Sequence, residues 1–417
     1  MTMTTDPEPL ARPVKKKART LGPLAWVGLA ALGLLLFATV RQLTGATNLT
    51  SSGAIQAAIG AAAPIALAGL SGLWSERSGV VNIGIEGMMV LGTFGAGWAG
   101  YQWGPWAGIF FALVCGALGG LLHAMATVTF GVDHIISGVA INIIAPGFTL
   151  YLAKLLFTNA PGGGQKQSPP VSDVYRITIP GLSNWLGTIE DKQIFFVSDL
   201  AGILRGATTH LSVFTVLAVL LIVLSGWVLW RTRFGLRVRS CGEAPYAAES
   251  LGVNVIKYKF AAVTISGATA GLAGAFLVVG LKFQDGQTGG RGYIGLAAMI
   301  FGNWRPGGMA MGAALFGYTD GMQLYDTGGA IHALLLILAV ALVVVAILQM
   351  RRGHYTIGAV SLVIAALSAI WFFSTDDLPG QLVTAAPYAI TLLVMGLASQ
   401  NLRMPKADGL IYRKGEH

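Results

Sequence analysis

Apolar residues in this chain gather into long unbroken runs separated by short polar stretches. The runs are about the length of helix that crosses a ~30 Å hydrocarbon core. They lie near 22–40, 54–73, 84–101, 106–129, 134–157, 210–230, 259–281, 307–324, 331–350, 357–373 and 381–400. One further segment, 292–303, is too short to cross as an ordinary helix and ends in the breaker GNWRPGG at 302–308. Such a piece is tolerable at membrane depth only where protein or a watery cavity covers it. The pattern predicts an all-α membrane protein, a polytopic helical bundle of about 10–12 transmembrane segments.

Composition sharpens this reading. Of 417 residues 54% are hydrophobic and 11% charged, against roughly 25% charged in a soluble domain. Glycine occurs 57 times, about twice its usual ~7% share, and glycine in spanning segments lets helices approach closely and bend. A tightly packed bundle is expected rather than a single anchor. Two cysteines, Cys115 and Cys241, make no disulfide framework and have no metal-ligand spacing.

Charge sets the expected orientation. With 292–303 counted as a crossing and the N-terminus inside, cytoplasmic segments collect 19 of the 27 Lys and Arg, the outside holds seven, and Lys154 lies within a run. This is the positive-inside asymmetry, and it puts both termini in the cytosol. The net charge of +9 therefore reflects topology. Its basic residues form no single stripe, and no nucleic acid is expected as a partner. The run after KKKAR at 15–19 is longer than a signal-peptide core and lacks an A-x-A-like cleavage site. The chain divides into a basic cytoplasmic tail (1–21), a transmembrane domain (22–400) and a cytoplasmic tail (401–417). Within the domain lie an external loop (158–209), a cytoplasmic loop (231–258) and a pair of runs at 331–373. The external loop is rich in Gly, Pro and Ser, and a small lid or an unstructured linker both fit it.

Catalytic motifs are missing: the chain has no H-E-x-x-H, no G-x-S-x-G, no Cys/His cluster and no GxxxxGK[ST]. No catalytic residue, cofactor or metal is expected, and this polypeptide does not hydrolyse nucleotide. If it moves a solute uphill, the energy comes from an ion gradient or from another subunit. An ion-coupled secondary carrier of a small polar solute would need ionisable residues within its spans. The candidates are Glu86, His123, Lys154, Asp320 and His332; most lie near run ends, where snorkelling to the interface is the ordinary explanation. Asn82 and Glu86, at i and i+4, would share one face of a helix.

The stretch SERSGVVNIGIEGMM at 75–89 resembles the signature of permease subunits of ATP-binding-cassette importers for nucleosides and simple sugars, within the group that includes the ribose and branched-chain amino-acid permeases. Five further stretches follow in that family's order: HIISGVAINIIAPG (134–147), RTRFGLRVRSCGEAPYAAESLGVNVIKYK (231–259), SGATAGLAGA (266–275), GGRGYIGLAAMIFGNWRPGGMAMGAALFG (289–317) and APYAITLLVMGL (386–397). The resemblance spans most of residues 55–400. It implies a multi-pass bacterial inner-membrane protein that works with separate ATPase subunits, a second and different permease chain, and an extracytoplasmic substrate-binding protein.

The resemblance also implies site residues. Gly242–Gly252 matches the family's coupling region, a short cytoplasmic helix that docks on the ATPase. Its own residues suit that role: Glu243 and Pro245 fit a first helical turn, and Ala247, Ala248 and Leu251 supply small apolar contacts, with Gly242 and Gly252 at the ends. A helix lying on lipid headgroups, helped by Arg231, Arg233, Arg237 and Arg239, is the alternative. Asn82, Glu86, Ser137 and Asn142 are the candidates for the translocation pathway, Glu86 as a structural tie and Asn82 and Asn142 as lining. The runs at 331–373, around RRGHY, resemble an insertion before the family's last span, and the C-terminal tail matches the family only loosely.

Overall fold

Helices occupy ten of the eleven apolar runs, and the computed structural model, which describes residues 23–325, 329–375, 385 and 402–415, leaves the run 381–400 outside its described part except at residue 385. The helices are α1 (Pro23–Thr44), α2 (Ser52–Glu76), α3 (Ile85–Trp103), α4 (Pro105–Ala124), α5 (His134–Phe157), α8 (Val213–Arg231), α11 (Val255–Phe276), α13 (Pro306–Tyr325), α14 (Gly329–Arg351) and α15 (Tyr355–Ser374). The short segment is α12 (Arg291–Phe301), 11 residues long, which at 1.5 Å per residue spans roughly half a hydrocarbon core. Seven helices among the described residues are long and apolar enough to cross a membrane: α2, α4 with its π-helical continuation Met125–Thr129, α5, α8, α11, α14 and α15. The chain is a polytopic all-α membrane protein.

Its centre is α11, packed against α2, α3 and α4, with α12 and α13 completing the layer on α2. Small residues make this possible. A Cβ on Gly116 of α4 would collide with the backbone of Gly267 and Gly271 of α11. These two helices therefore touch backbone to backbone, the close approach that stabilises helix pairs in lipid, where apolar burial alone gives little.

The loop 158–209 is folded. It holds α6 (Leu182–Glu190) and α7 (Val197–Gly206), and strand β1 (Arg176–Ile177) pairs antiparallel with β2 (Leu211–Ser212) just beyond it. Asp199 of α7 receives Arg41 of α1 at 2.8 Å. Glu190 accepts the Ser52 amide at the start of α2 at 2.8 Å and pairs with Arg205 at 3.0 Å. The cap is thus fastened to α1 and α2 by charged side chains, which a linker would not provide.

Two sequence expectations need correction. The loop 231–258 contains two helices where one was expected: α9 (Arg233–Glu243) and α10 (Pro245–Ser250), parted by Ala244 at φ −153°, ψ 79°. Three of the four arginines lie on α9, and Glu243 ends that helix instead of opening the next. Pro245 does start α10, where its missing N–H costs nothing. Gly252, at φ +79°, closes it: the Gly252 amide donates to Glu249 and the Val253 amide to Ala248, the left-handed cap that glycine adopts without strain. The second correction concerns Asn82 and Glu86. Residues 80–83 are not helical and α3 begins at Ile85, so the two share no helical face.

Candidate translocation and coupling sites

Buried backbone groups in the non-helical stretch between two helices need partners from the protein. The break between α2 and α3 (77–84) is jacketed in this way. Ser75 Oγ donates to the Val80 carbonyl at 2.6 Å and Lys259 Nζ to that of Gly79 at 3.3 Å. The Val81 amide donates to His134 Nδ1 at 3.3 Å, and its carbonyl lies 3.0 Å from His123 Nε2. The Gly84 amide donates to Asn82 Oδ1 at 3.0 Å, and the Ile83 carbonyl accepts from Asn142 Nδ2 at 2.8 Å.

All four pathway candidates converge here. Asn82 is fully buried, and its amide nitrogen also reaches Ser266 Oγ at 3.0 Å. Ser137 is buried and holds His123 Nδ1 at 2.9 Å, fixing the ring that contacts Val81. Asn142 is half-buried. Its Oδ1 accepts the Gly87 amide at 2.7 Å, and its nitrogen meets the Tyr293 hydroxyl at 3.0 Å. Glu86 is half-buried too, and it caps the short helix α12: Oε1 accepts from the Gly290 amide at 2.9 Å and Oε2 from Gly292 at 2.7 Å. A carboxylate suits this place because the first amides of a helix lack intrahelical partners and carry its positive dipole end. Glycine at 292 leaves room, since a Cβ there would lie 2.6 Å from Glu86 Oε2.

Sequence reasoning missed His134, Lys259, Ser266 and Tyr293 as members of this cluster. Their only signal was polarity inside or beside apolar runs. Snorkelling does not account for His123, which is fully buried and bonded to the break, nor for Asp320, which receives Arg291 of α12 at 2.7 Å. His332 is buried and stacks on Phe372 of α15; Lys154 is exposed on α5. Arg291 and Asp320 line a cavity of about 960 Å³ with Pro64, Lys282, Gln284 and Gln287, on the side of the bundle that carries Arg176 and the folded cap.

The coupling candidates divide into two sets. Gly242 and Ala248 face inward: a Cβ on Gly242 would strike the Arg77 carbonyl, so α9 rests directly on the break. Glu243, Ala247, Leu251 and Gly252 face outward, Leu251 with 85% of its surface exposed. Arg77 joins the layers. It donates to the Trp304 carbonyl in the α12–α13 turn at 2.6 Å, lies 3.8 Å from Glu243, and stacks over Trp230. Burial lowers its pKa, opposed by Glu243. An outward, mostly apolar face thus sits against two helix breaks.

Comparison with known proteins gives the family. The family described as branched-chain amino acid transport system / permease component matches residues 54–347. The chain is 33% identical over 368 residues to the guanosine ABC transporter permease protein NupQ of Bacillus subtilis, covering 85% of this chain and 94% of that one. It is 32% identical over 363 residues to the nucleoside ABC transporter permease protein NupC of Lactococcus lactis, with the same coverage. A putative glucose ABC transporter permease protein of Haloferax volcanii, TsgC13, is 32% identical over 277 residues, 66% of this chain and 78% of its own length. No solved structure matches the chain with significance. The chain therefore belongs to the branched-chain amino acid transport system permease family and is the membrane-spanning permease component of an ABC importer.

Proposed function

We propose that this permease imports nucleosides, and simple sugars as the next class, with ATP hydrolysed by separate ATPase subunits docked on α10. The observation that carries the substrate reading is the chemistry at the rim of the α2–α3 break. Asn142 is half-buried there, Tyr293 is 50% exposed, and both oxygens of Glu86 are occupied by backbone amides. The Asn142 amide is engaged as well, by Gly87, Ile83 and Tyr293, so the group best placed to meet a solute is the half-exposed Tyr293 phenol. A neutral group of this kind suits an uncharged, hydroxyl-rich molecule that binds weakly and moves on. Asn142, Tyr293 and the Glu86 edge line the path, while Asn82 and Ser137 hold the break. The names of NupQ and NupC support nucleosides over sugars.

The α10 end faces the cytosol in this reading, supported by the excess of basic residues in the segments assigned inside. A second permease chain of different sequence faces this one across the pathway, and an external binding protein delivers substrate to the folded cap. Titrating the cognate binding protein with nucleosides, ribose and amino acids identifies the class. Vesicle uptake of the tightest ligand should then require ATP and the ATPase. Uptake driven by an ion gradient without ATP would replace this reading with an ion-coupled carrier.

A further inference from the structure

The C-terminal segment 402–415, which the family resemblance barely covers, is not a loose tail. The Ala407 amide donates to the Gly242 carbonyl at 2.8 Å, and the Arg403 amide to Asn303 Oδ1 in the α12–α13 turn at 2.7 Å. Tyr412 is buried among Cys241, Ala248 and Val255, with its ring 5.4 Å from that of Tyr246 on α10. The Ala407 carbonyl lies against Gly79 in the α2–α3 break. One strap therefore touches the docking helix and both helix breaks. Asp408 is buried beneath it, beside Glu76 of α2, Lys259 of α11 and Arg77. Burying a carboxyl group is costly unless the surroundings are built for it.

The strap's outer side presents apolar side chains among the exposed Arg403, Lys406, Arg413 and Lys414. Leu410 is 60% and Ile411 43% exposed, next to a docking helix whose Leu251 is exposed as well. Large exposed apolar side chains outside the spans mark an interaction surface, and Tyr412, next to Ile411, joins the strap to Tyr246 of α10. We propose that residues 402–415 form with α10 one composite docking surface for the ATPase subunit, and that the strap carries the ATPase's movement to the two helix breaks. The inference rests on the reading of α10 as the ATPase contact. The occupant is argued from continuity: the strap is bonded to the same helix pair that presents Glu243, Ala247 and Leu251.

The test uses the full-length permease in detergent with its cognate ATPase, and then the reconstituted complex in vesicles. Leu410→Asp with Ile411→Asp should leave the elution volume and melting temperature of the permease unchanged. It should weaken ATPase co-purification at least tenfold and lower ATP-dependent uptake in proportion. Leu251→Asp is the parallel arm. If Leu251→Asp abolishes ATPase binding while the double variant binds and transports normally, the strap is a fold element only and the proposal fails. If neither variant changes binding, the α10 reading itself fails. Photoreactive side chains at 410 and 251 give a readout that does not depend on the Asp variants folding: both should crosslink to the ATPase, and a crosslink from 251 alone overturns the proposal.

Discussion

The α4–α11 contact and the α14–α15 hairpin are both pairs of packed apolar helices, yet they are built on opposite plans. Of the seven spans, α11 is the least apolar and the most enclosed, with 67% of its apolar window inside the protein. The most apolar, α14, has 33% of its window inside, and its partner α15 has 22%. In water the greasiest segments go to the centre. In lipid the outside is as apolar as any core, so the centre is reserved for glycine contacts and hydrogen bonds that lipid cannot supply. Gly116 on Gly267 and the jacket around residues 79–84 belong to the first plan; exposed Val343, Val344 and Ile347 on α14 belong to the second.

The comparison breaks most visibly with Gly267→Leu, which forces α11 away from α4. Overpacking of this kind typically costs about 1–3 kcal/mol or more, and with backbone on the other side the expected outcome is loss of folded, monodisperse protein in detergent. Recovery at wild-type yield would show that the close approach is dispensable. Next comes the docking face. Glu243→Arg with Ala247→Arg alters no span, but a loss of ~2.7 kcal/mol at the ATPase contact is a hundredfold in affinity, so ATP-dependent uptake should collapse while membrane insertion stays normal. Glu86→Gln is smaller again. It keeps the shape but offers one acceptor in place of two, so one bond at the start of α12 loses its charge and the other is lost with NH2 facing N–H, a change of about 2 kcal/mol, visible as a lower melting temperature.

A fourth expectation concerns pH. Burial raises the Asp408 carboxyl to about 7 from its ordinary 3.8, with Lys259 and Arg77 opposing. The folded state therefore holds the proton more tightly than the unfolded one. Its contribution is complete below pH 3.8 and disappears as pH rises through about 7. Trypsin cleavage at Arg403 and Lys406 should accelerate from pH 6 to pH 8 beyond the protease's own profile on a free peptide. Asp408→Asn should flatten that difference. The smallest effect is expected in the hairpin, where Val344→Leu on a lipid-facing surface should shift stability by no more than about 0.5 kcal/mol.

Helix positions were legible because hydropathy acts locally: ten runs could be placed within a few residues of α1 to α5, α8, α11 and α13 to α15. The short α12 was legible too, from its length and the breaker after it. What stayed hidden was everything set by distant partners. Glu86 is 204 residues from Gly290, and Asn82 is 184 from Ser266; no periodicity connects them. The split of Gly242–Gly252 into two helices did leave a signal: Pro245 disfavours helical backbone at the residue before it, and Ala244 there stands at φ −153°, ψ 79°. The pathway and coupling candidates were chosen by residue type and family resemblance, and only the fold divides them into inward and outward sets.

The jacket around the α2–α3 break also has a schedule. Its donors and acceptors come from residues 123, 134 and 142, then from 259, and Glu86 waits for 290 and 292. Synthesis proceeds from the N-terminus at roughly 5–20 residues per second, so about 10–40 s pass between the emergence of the break and that of its last partners. Through the later part of that interval the Gly79 carbonyl and the Glu86 carboxylate lack their partners, and an unpaired polar or charged group is costly to bury. The first half of this permease must therefore be sheltered at the insertion machinery, near water, until α11 and α12 arrive, which makes the order of membrane integration a property written into where the hydrogen-bond partners lie.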